Sequence, residues 1–254
     1  MMNAYELNTI ILRSLREDAA ARDLTTNTLI SKTQISKGLI IIKEDSVVCG
    51  LSIAKKVFQK LSPHILFQTS FKDGAKALRN TAIATVMGKT RALLTGERTA
   101  LNFLAYLSGI ATNTNKFVQK IRHSKAKIYD TRKTTPGLRM LEKYAVRCGG
   151  GYNHRVDLSE LVLIKDNHRE ACFPRLSIPQ AIDLIRRKTR KKLEIEVDNL
   201  IQFKLALTAD SDMILLDNMS CRQMKKAVEL ARKIPPQRRP LLEASGGITL
   251  RNVS

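Results

Sequence analysis

At 254 residues the chain can bury a full core in one or two domains, and 43% hydrophobic with 26% charged residues excludes a disordered chain. Its apolar runs are too short to cross a bilayer, and residues 1–18, with acids and no small-residue cleavage site, read as an amphipathic helix and not a signal peptide. Lysine and arginine number 44 against 23 acids, a formal net charge of +21, which attracts polyanions from nucleic acids to small phosphates.

Residues 5–16 place Leu7, Ile10, Ile11 and Leu15 at helical spacing. Asp23-Leu24-Thr25-Thr26 breaks that pattern as a capped loop. Residues 38–42 and 47–51 read as two strands of a hairpin around 43–46. Residues 53–61 are helical by period, and 65–69 and 81–88 read as strands, with a turn at Asp73-Gly74. Residues 91–121 are helical, with a boundary expected at Gly109. Arg98 sits on the first turn of the middle segment, off the stripe of Leu101, Leu104 and Leu107, where a solvated helix arginine is the plain reading. Residues 1–108 are thus expected to form a small α/β domain and 109–254 a second one.

Beyond residue 125 the chain alternates. Strands are expected at 127–129, 161–164, 193–197, 213–216 and 241–244, and helices at 138–146, 179–187, 200–207 and 224–233, with Ser177 and Ser220 as N-caps. Such alternation implies a parallel sheet, rolled toward a barrel by right-handed crossovers. Each expected strand ends in polar or small residues: Asp130-Thr131-Arg132-Lys133, Lys165-Asp166-Asn167-His168, Glu196-Val197-Asp198, Asp217-Asn218 and Ser245-Gly246-Gly247. In a parallel barrel these ends share the face on which active sites sit.

Arg132 and Arg155 can each grip a carboxylate or phosphate through two parallel hydrogen bonds, and Lys133, Lys165 and His154 add further cationic or donor groups. Surface salt bridges would explain any one of them alone, but less well where Gly149-Gly150-Gly151 adjoins His154-Arg155. Glu196 and Asp217 either hold Mg²⁺ or pair with the basic rim, and Glu194 shares the strand face of Glu196. Ser245, Gly246 and Gly247 offer backbone N–H groups to a phosphate, aided by a following helix N-terminus. No Ser-His-Asp set, poised cysteine nucleophile or dinucleotide fingerprint occurs. The four cysteines include no C-x-x-C pair, which fits reduced thiols in a cytoplasmic protein. The bases lack interleaved aromatics and no nucleic-acid motif occurs, so a solvated basic face is expected, with no specific nucleic-acid or membrane partner.

The block DTRKTTPGLRMLEKYAVRCGGGYNHR at 130–155, followed by LIKDNH at 163–168, resembles the signature of quinolinate phosphoribosyltransferases, the carboxylating nicotinate-nucleotide pyrophosphorylases. EDAAARDLTT, GERTALNFLAYLSGIAT, LEIEVDNL, ILLDNM and EASGGITLRNV extend the resemblance over nearly the whole chain in family order. The resemblance implies an N-terminal α/β sandwich followed by a parallel α/β barrel, incomplete here at its C-terminus because the family pattern continues past the glycine pair. It also implies a homodimer in which Arg98 completes the neighbouring site. Arg132, Lys133, His154, Arg155 and Lys165 would bind quinolinate and phosphates, Lys133, Glu196 and Asp217 would be catalytic, and Glu196 and Asp217 would hold Mg²⁺ with the pyrophosphate of phosphoribosyl pyrophosphate. Ser245, Gly246 and Gly247 would cradle the 5-phosphate. The products would be nicotinate mononucleotide, pyrophosphate and CO₂, as in de novo NAD biosynthesis. Arg22 and Tyr106 depart from the family pattern and are expected to lie clear of the pocket. Competing readings are a homologue with another acid substrate, such as the relative associated with molybdate transport; an inactive fragment; a Schiff-base lyase using Lys165; and a basic nucleic-acid binder.

Overall fold

The computed structural model describes residues 4–254, which fall into two compact units, the first running to His154 and the second from Arg155 to Val253. In the first unit, α1 (Ala4–Glu17) buries Ile11 and Leu15, and Asp23 caps α2 (Leu24–Leu29) by accepting from the Thr26 amide at 2.9 Å. The elements that follow are β1 (Ile35–Ile41), β2 (Ser46–Val47), α3 (Leu51–Leu61), β3 (Leu66–Gln68), β4 (Lys76–Ala77), β5 (Ala82–Lys89), α4 (Thr90–Lys120) and α5 (Arg139–Cys148).

The expected hairpin does not form. β1 runs antiparallel to β5, which also pairs with β3, and β2 pairs with β4. The cause is α4, whose hydroxyls take the amides that a hairpin would have used: Thr112 Oγ1 accepts from Val47 N and Ser108 Oγ from Cys49 N, both at 2.9 Å. Val48 and Cys49 are thereby sealed into a core shared by Val57, Phe58, Phe103, Leu104 and Leu107. Burying a side chain such as Phe58 contributes roughly 1.5–3 kcal/mol. At the crossing of α3 and α4, a Cβ on Gly96 would lie 2.9 Å from a Leu61 methyl carbon and 3.1 Å from the Phe58 ring, so glycine permits the close approach.

Gly109 ends nothing. α4 continues through it for 31 residues, with Gly109 on the exposed side and Leu107, Ser108 and Ala111 buried. A helical glycine costs about 1 kcal/mol relative to alanine, which this buried stripe outweighs. Residue 108 lies inside the same helix, and Arg98 stands two turns in from its start, not on a first turn.

The second unit holds β6 (Val162–Ile164), α6 (Asp166–Glu170), α7 (Ile178–Arg186), β7 (Leu193–Val197), α8 (Leu200–Thr208), β8 (Met213–Asp217), α9 (Cys221–Arg232) and β9 (Leu241–Ser245). Its strands form one parallel sheet in the order β6-β7-β8-β9. Ser177 and Ser220 each cap their helix in a reciprocal box with Gln180 and Gln223, as their spacing predicts.

The strand expected at 127–129 is absent from this sheet. Its pairing is a single parallel bridge between Tyr129 and Tyr152 inside the first unit. The chain turns too soon for more: the glycine turn delivers Tyr152, and the next residue, Asn153, already bonds Asp130 through its side chain. Among the described residues, no helix is long and apolar enough to cross a membrane.

Candidate active site

Register divides the sheet of the second unit into two chemically different faces. Ile164, Leu193, Ile195, Val197, Ile214 and Leu216 pack with Ile178, Ile182, Phe203 and Ala227 from the helices. Pairing Leu163↔Glu194↔Met213↔Leu241 and Glu196↔Leu215↔Glu243, with Asp217↔Ser245 beyond, puts Glu194, Glu196, Asp217, Glu243 and Ser245 on the other face. Four carboxylates on one face of a four-stranded sheet repel one another unless cations accompany them. Lys165, directly after β6, supplies one such cation: its Nζ lies 3.3 Å from Glu196 Oε2.

The strand ends are shaped by their turns. Lys165 N donates to His168 Nδ1 at 2.9 Å, which fastens the KDNH block to the end of β6. Asp217 Oδ2 accepts from Asn218 Nδ2 at 2.7 Å, and Asn218, with φ +52°, donates its backbone N–H to Ser245 O at 2.9 Å. Gly246 and Gly247 have φ of +81° and +63°. A Cβ on Gly246 would fall 2.1 Å from Asn218 Oδ1, so only glycine fits there. After the pair, Asn252 N and Val253 N reach Thr249 O in a turn, the second bond at helical spacing. Asn252 Oδ1 accepts from Thr249 N at 2.7 Å, and Thr249 Oγ1 accepts from Arg251 N at 3.2 Å. Arg155, half-buried, donates to Leu161 O at 2.9 Å and lines a cavity of about 370 Å³ with His168, Arg169, Leu163 and Leu176.

In the first unit the basic loop is built on a buried ion pair. Asp130 Oδ1 accepts from Lys143 Nζ at 2.6 Å and from the His154 amide at 2.8 Å, while Oδ2 accepts from Asn153 Nδ2 at 2.7 Å. Lys143 Nζ also donates to His154 O at 2.9 Å. Asp130 therefore positions the segment that presents His154, a different task from the charge-binding strand end expected of it. Lys133 is exposed with its amide on Thr131 Oγ1 at 3.0 Å. Arg132 is half-buried, and its Nε is shut off from solvent with no acceptor among the described residues.

Tyr106 is closer to this loop than its sequence position suggests. Its hydroxyl lies 2.7 Å from Thr135 Oγ1 and donates to Glu142 Oε1 at 2.7 Å, while the same Glu142 oxygen accepts from Thr135 N at 2.8 Å. Burial pushes the Tyr106 phenol up from its ordinary value, with the Glu142 carboxylate acting in the same direction. Arg98 is an exposed residue of α4.

Sequence reading missed Lys143, which carries no motif of its own, and Glu243, which period two from Ser245 would have placed on the acidic face.

Two family models match: the quinolinate phosphoribosyl transferase N-terminal domain over residues 23–108 and the C-terminal domain over 110–254. A probable nicotinate-nucleotide pyrophosphorylase [carboxylating] of Synechocystis is 44% identical over 84% of this chain and 72% of its own length. A nicotinate-nucleotide pyrophosphorylase [carboxylating] of Mycobacterium leprae is 39% identical over 96% of this chain and 86% of its own. NadC from Streptococcus pyogenes superimposes with a TM-score of 0.91 at 37% identity, covering all of this chain and 87% of that one. The nicotinate-nucleotide pyrophosphorylase from Francisella tularensis gives 0.92 at 36%, with the same coverage. The α/β fold, an N-terminal sandwich followed by a parallel α/β barrel, is therefore shared with these proteins. The chain belongs to the quinolinate phosphoribosyltransferase family.

Proposed function

We propose that the protein transfers the phosphoribosyl group of phosphoribosyl pyrophosphate to quinolinate with decarboxylation, giving nicotinate mononucleotide, pyrophosphate and CO₂ in NAD biosynthesis. The observation that carries this reading is the rim of the second unit's sheet, where Lys165, Glu196, Asp217 and Ser245-Gly246-Gly247 stand at the C-terminal ends of four adjacent parallel strands. A cation, two acids and a glycine turn suit an anionic sugar phosphate.

Arg132, Lys133, His154, Arg155 and Lys165 bind the two carboxylates of quinolinate and the phosphates, holding the pyridine nitrogen on line with ribose C1. Attack by that nitrogen breaks the bond from C1 to pyrophosphate, and the resulting cationic ring accepts the electron pair released as the 2-carboxylate departs as CO₂. Lys133 offsets negative charge on the reacting groups, so no side-chain nucleophile is needed. Glu196 and Asp217, hard oxygen donors on one sheet face, fit Mg²⁺, which when bound neutralises charge on the pyrophosphate. Ser245, Gly246 and Gly247 receive the 5-phosphate.

The active form is a homodimer in which Arg98 completes the partner's site. Two features support this: Arg98 is exposed on α4, and the sheet β1-β5-β3 exposes Ile35, Leu39, Ile41, Met87 and Leu66. We place the enzyme in the cytoplasm, in keeping with its four free cysteines. Incubation with quinolinate, phosphoribosyl pyrophosphate and Mg²⁺ should yield nicotinate mononucleotide and CO₂. Turnover of a different aromatic acid in preference to quinolinate would replace this substrate assignment.

A further inference from the structure

Two cysteines that play no part in the chemistry above are brought together in the first unit from distant points in the chain. Cys49 lies between β2 and α3, is fully buried, and is fixed by Ser108, whose Oγ accepts from Cys49 N at 2.9 Å and donates to Cys49 O at 3.2 Å. Cys148 is the last residue of α5 and is half-buried.

The segment at Asp73-Gly74 ties the two neighbourhoods together. Asp73 Oδ1 accepts from Leu51 N at 3.1 Å, two residues past Cys49, and Oδ2 accepts from Tyr144 Oη at 2.7 Å, one helical turn before Cys148. Gly74 N donates to Val48 O at 2.8 Å, and a Cβ on Gly74 would lie 3.3 Å from Cys148 O. Cys49 belongs to the core cluster of this unit, and Cys148 packs against that same cluster. Two cysteines whose flanking segments are tied through one turn are placed to be bridged by a local rearrangement.

We propose that Cys49 and Cys148 form a redox modification site, a dithiol that a hydroperoxide converts to a reversible intramolecular disulfide. Cys148 is the attacking sulfur. It keeps some exposure to solvent whereas Cys49 has none, and its thiol is held below the ordinary cysteine value by Cys49 first and by Tyr144 and Arg147, against burial and Asp73. Cys49 is raised by its neighbour Cys148 and by burial, so it stays a thiol until it resolves the product.

The Cys148 thiolate displaces hydroxide from hydrogen peroxide, forming the S–O bond of a sulfenic acid as the O–O bond breaks. Cys49 sulfur then attacks the Cys148 sulfur. The S–O bond breaks, and the departing hydroxide takes the Cys49 proton away as water. The two sulfurs together lose two electrons, and the peroxide gains them. A thiol reductant reverses the change by exchange. The cross-link pins the end of α5 and its glycine turn to the segment before α3, in front of the chain leading to His154.

Exposure alone would favour a different cysteine, because Cys221 is exposed and Cys49 has no accessible surface. That contrast makes the test decisive. The reduced protein is treated with limiting hydrogen peroxide, alkylated, digested without reductant and analysed by mass spectrometry. The expected product is a Cys49–Cys148 linked peptide, about 2 Da lighter than its two parts, formed before Cys221 reacts and removed by dithiothreitol. Cys148→Ser should abolish the link. Cys49→Ser should leave a sulfenic acid at Cys148 that dimedone traps. Oxidation of Cys221 ahead of the pair, or accumulation of sulfinic acid at Cys148 beside an unmodified Cys49, would overturn the proposal using the unmutated protein alone.

Discussion

Lys143 Nζ lies 2.6 Å from Asp130 Oδ1 with the two side chains 3% and 8% exposed, and this buried pair holds both the amide and the carbonyl of His154. Breaking one partner of such a pair leaves an uncompensated charge in the interior. Lys143→Met should therefore destabilise the protein by roughly 3–5 kcal/mol, whereas the double change with Asp130→Leu should recover part of that loss. Denaturant unfolding of the single and double variants measures it. A loss for Lys143→Met of less than about 1 kcal/mol, the usual worth of an exposed pair, would mean that the pair is not buried in solution.

Tyr106 braces the basic loop through Thr135 and Glu142 without belonging to it. Removing its hydroxyl deletes two hydrogen bonds while Glu142 keeps the Thr135 amide. Tyr106→Phe should cost about 1 kcal/mol and act on the loop that carries Lys133, raising KM for quinolinate more than it lowers kcat. Steady-state kinetics separate the two. A fall in kcat with KM unchanged would show that Tyr106 acts on the reaction itself.

How much of this could be read in advance depended on how local each signal was. Leu193-Glu194-Ile195-Glu196-Val197 announces β7 and both of its faces, and Ser177 with Gln180 announces the start of α7, because each signal lies within a few residues. The partner of β1 was not legible, since it was settled by Thr112 and Ser108 on a helix about 60 residues away. Gly109 misled because a glycine's identity says nothing of its φ, and one in a helix stripe buried on its other side simply remains helical. Asp130 was visible as polar, but its use became plain only once Lys143 was seen buried against it.

Glu196 should matter beyond its 3.3 Å contact with Lys165. Glu196→Gln keeps size and hydrogen-bonding capacity but removes the charge proposed to hold Mg²⁺. The expected result is at least about a tenfold fall in kcat/KM, or about 1.4 kcal/mol of transition-state stabilisation, partly offset by raising Mg²⁺. Titrating activity against Mg²⁺ checks it. An unchanged Mg²⁺ dependence would leave Glu196 as a structural partner of Lys165 alone.

The glycine pair offers an internal control. Gly247→Ala meets no heavy atom within 4 Å and bears only the cost of a left-handed alanine, roughly 1–2 kcal/mol, whereas Gly246→Ala adds an overlap with Asn218. Gly246→Ala should therefore be the more destabilising of the two by thermal unfolding. Equal losses would show that the contact between the β8 and β9 turns gives way easily.

Arg98 tests the dimer. Exposed on α4 and proposed to complete a neighbouring site, it should be dispensable for folding but not for turnover, so Arg98→Ala should unfold normally and lose activity. Lys133→Ala should also be inactive, through the protomer's own site. If each site draws Arg98 from one subunit and Lys133 from the other, dissociating and reassembling a mixture of the two variants creates some dimers with one intact site. Activity should then reappear in the mixture although neither variant has any alone. Mixed dimers that form, as native mass spectrometry would show, yet stay inactive would return Arg98 to the solvated helix arginine of the plainest sequence reading.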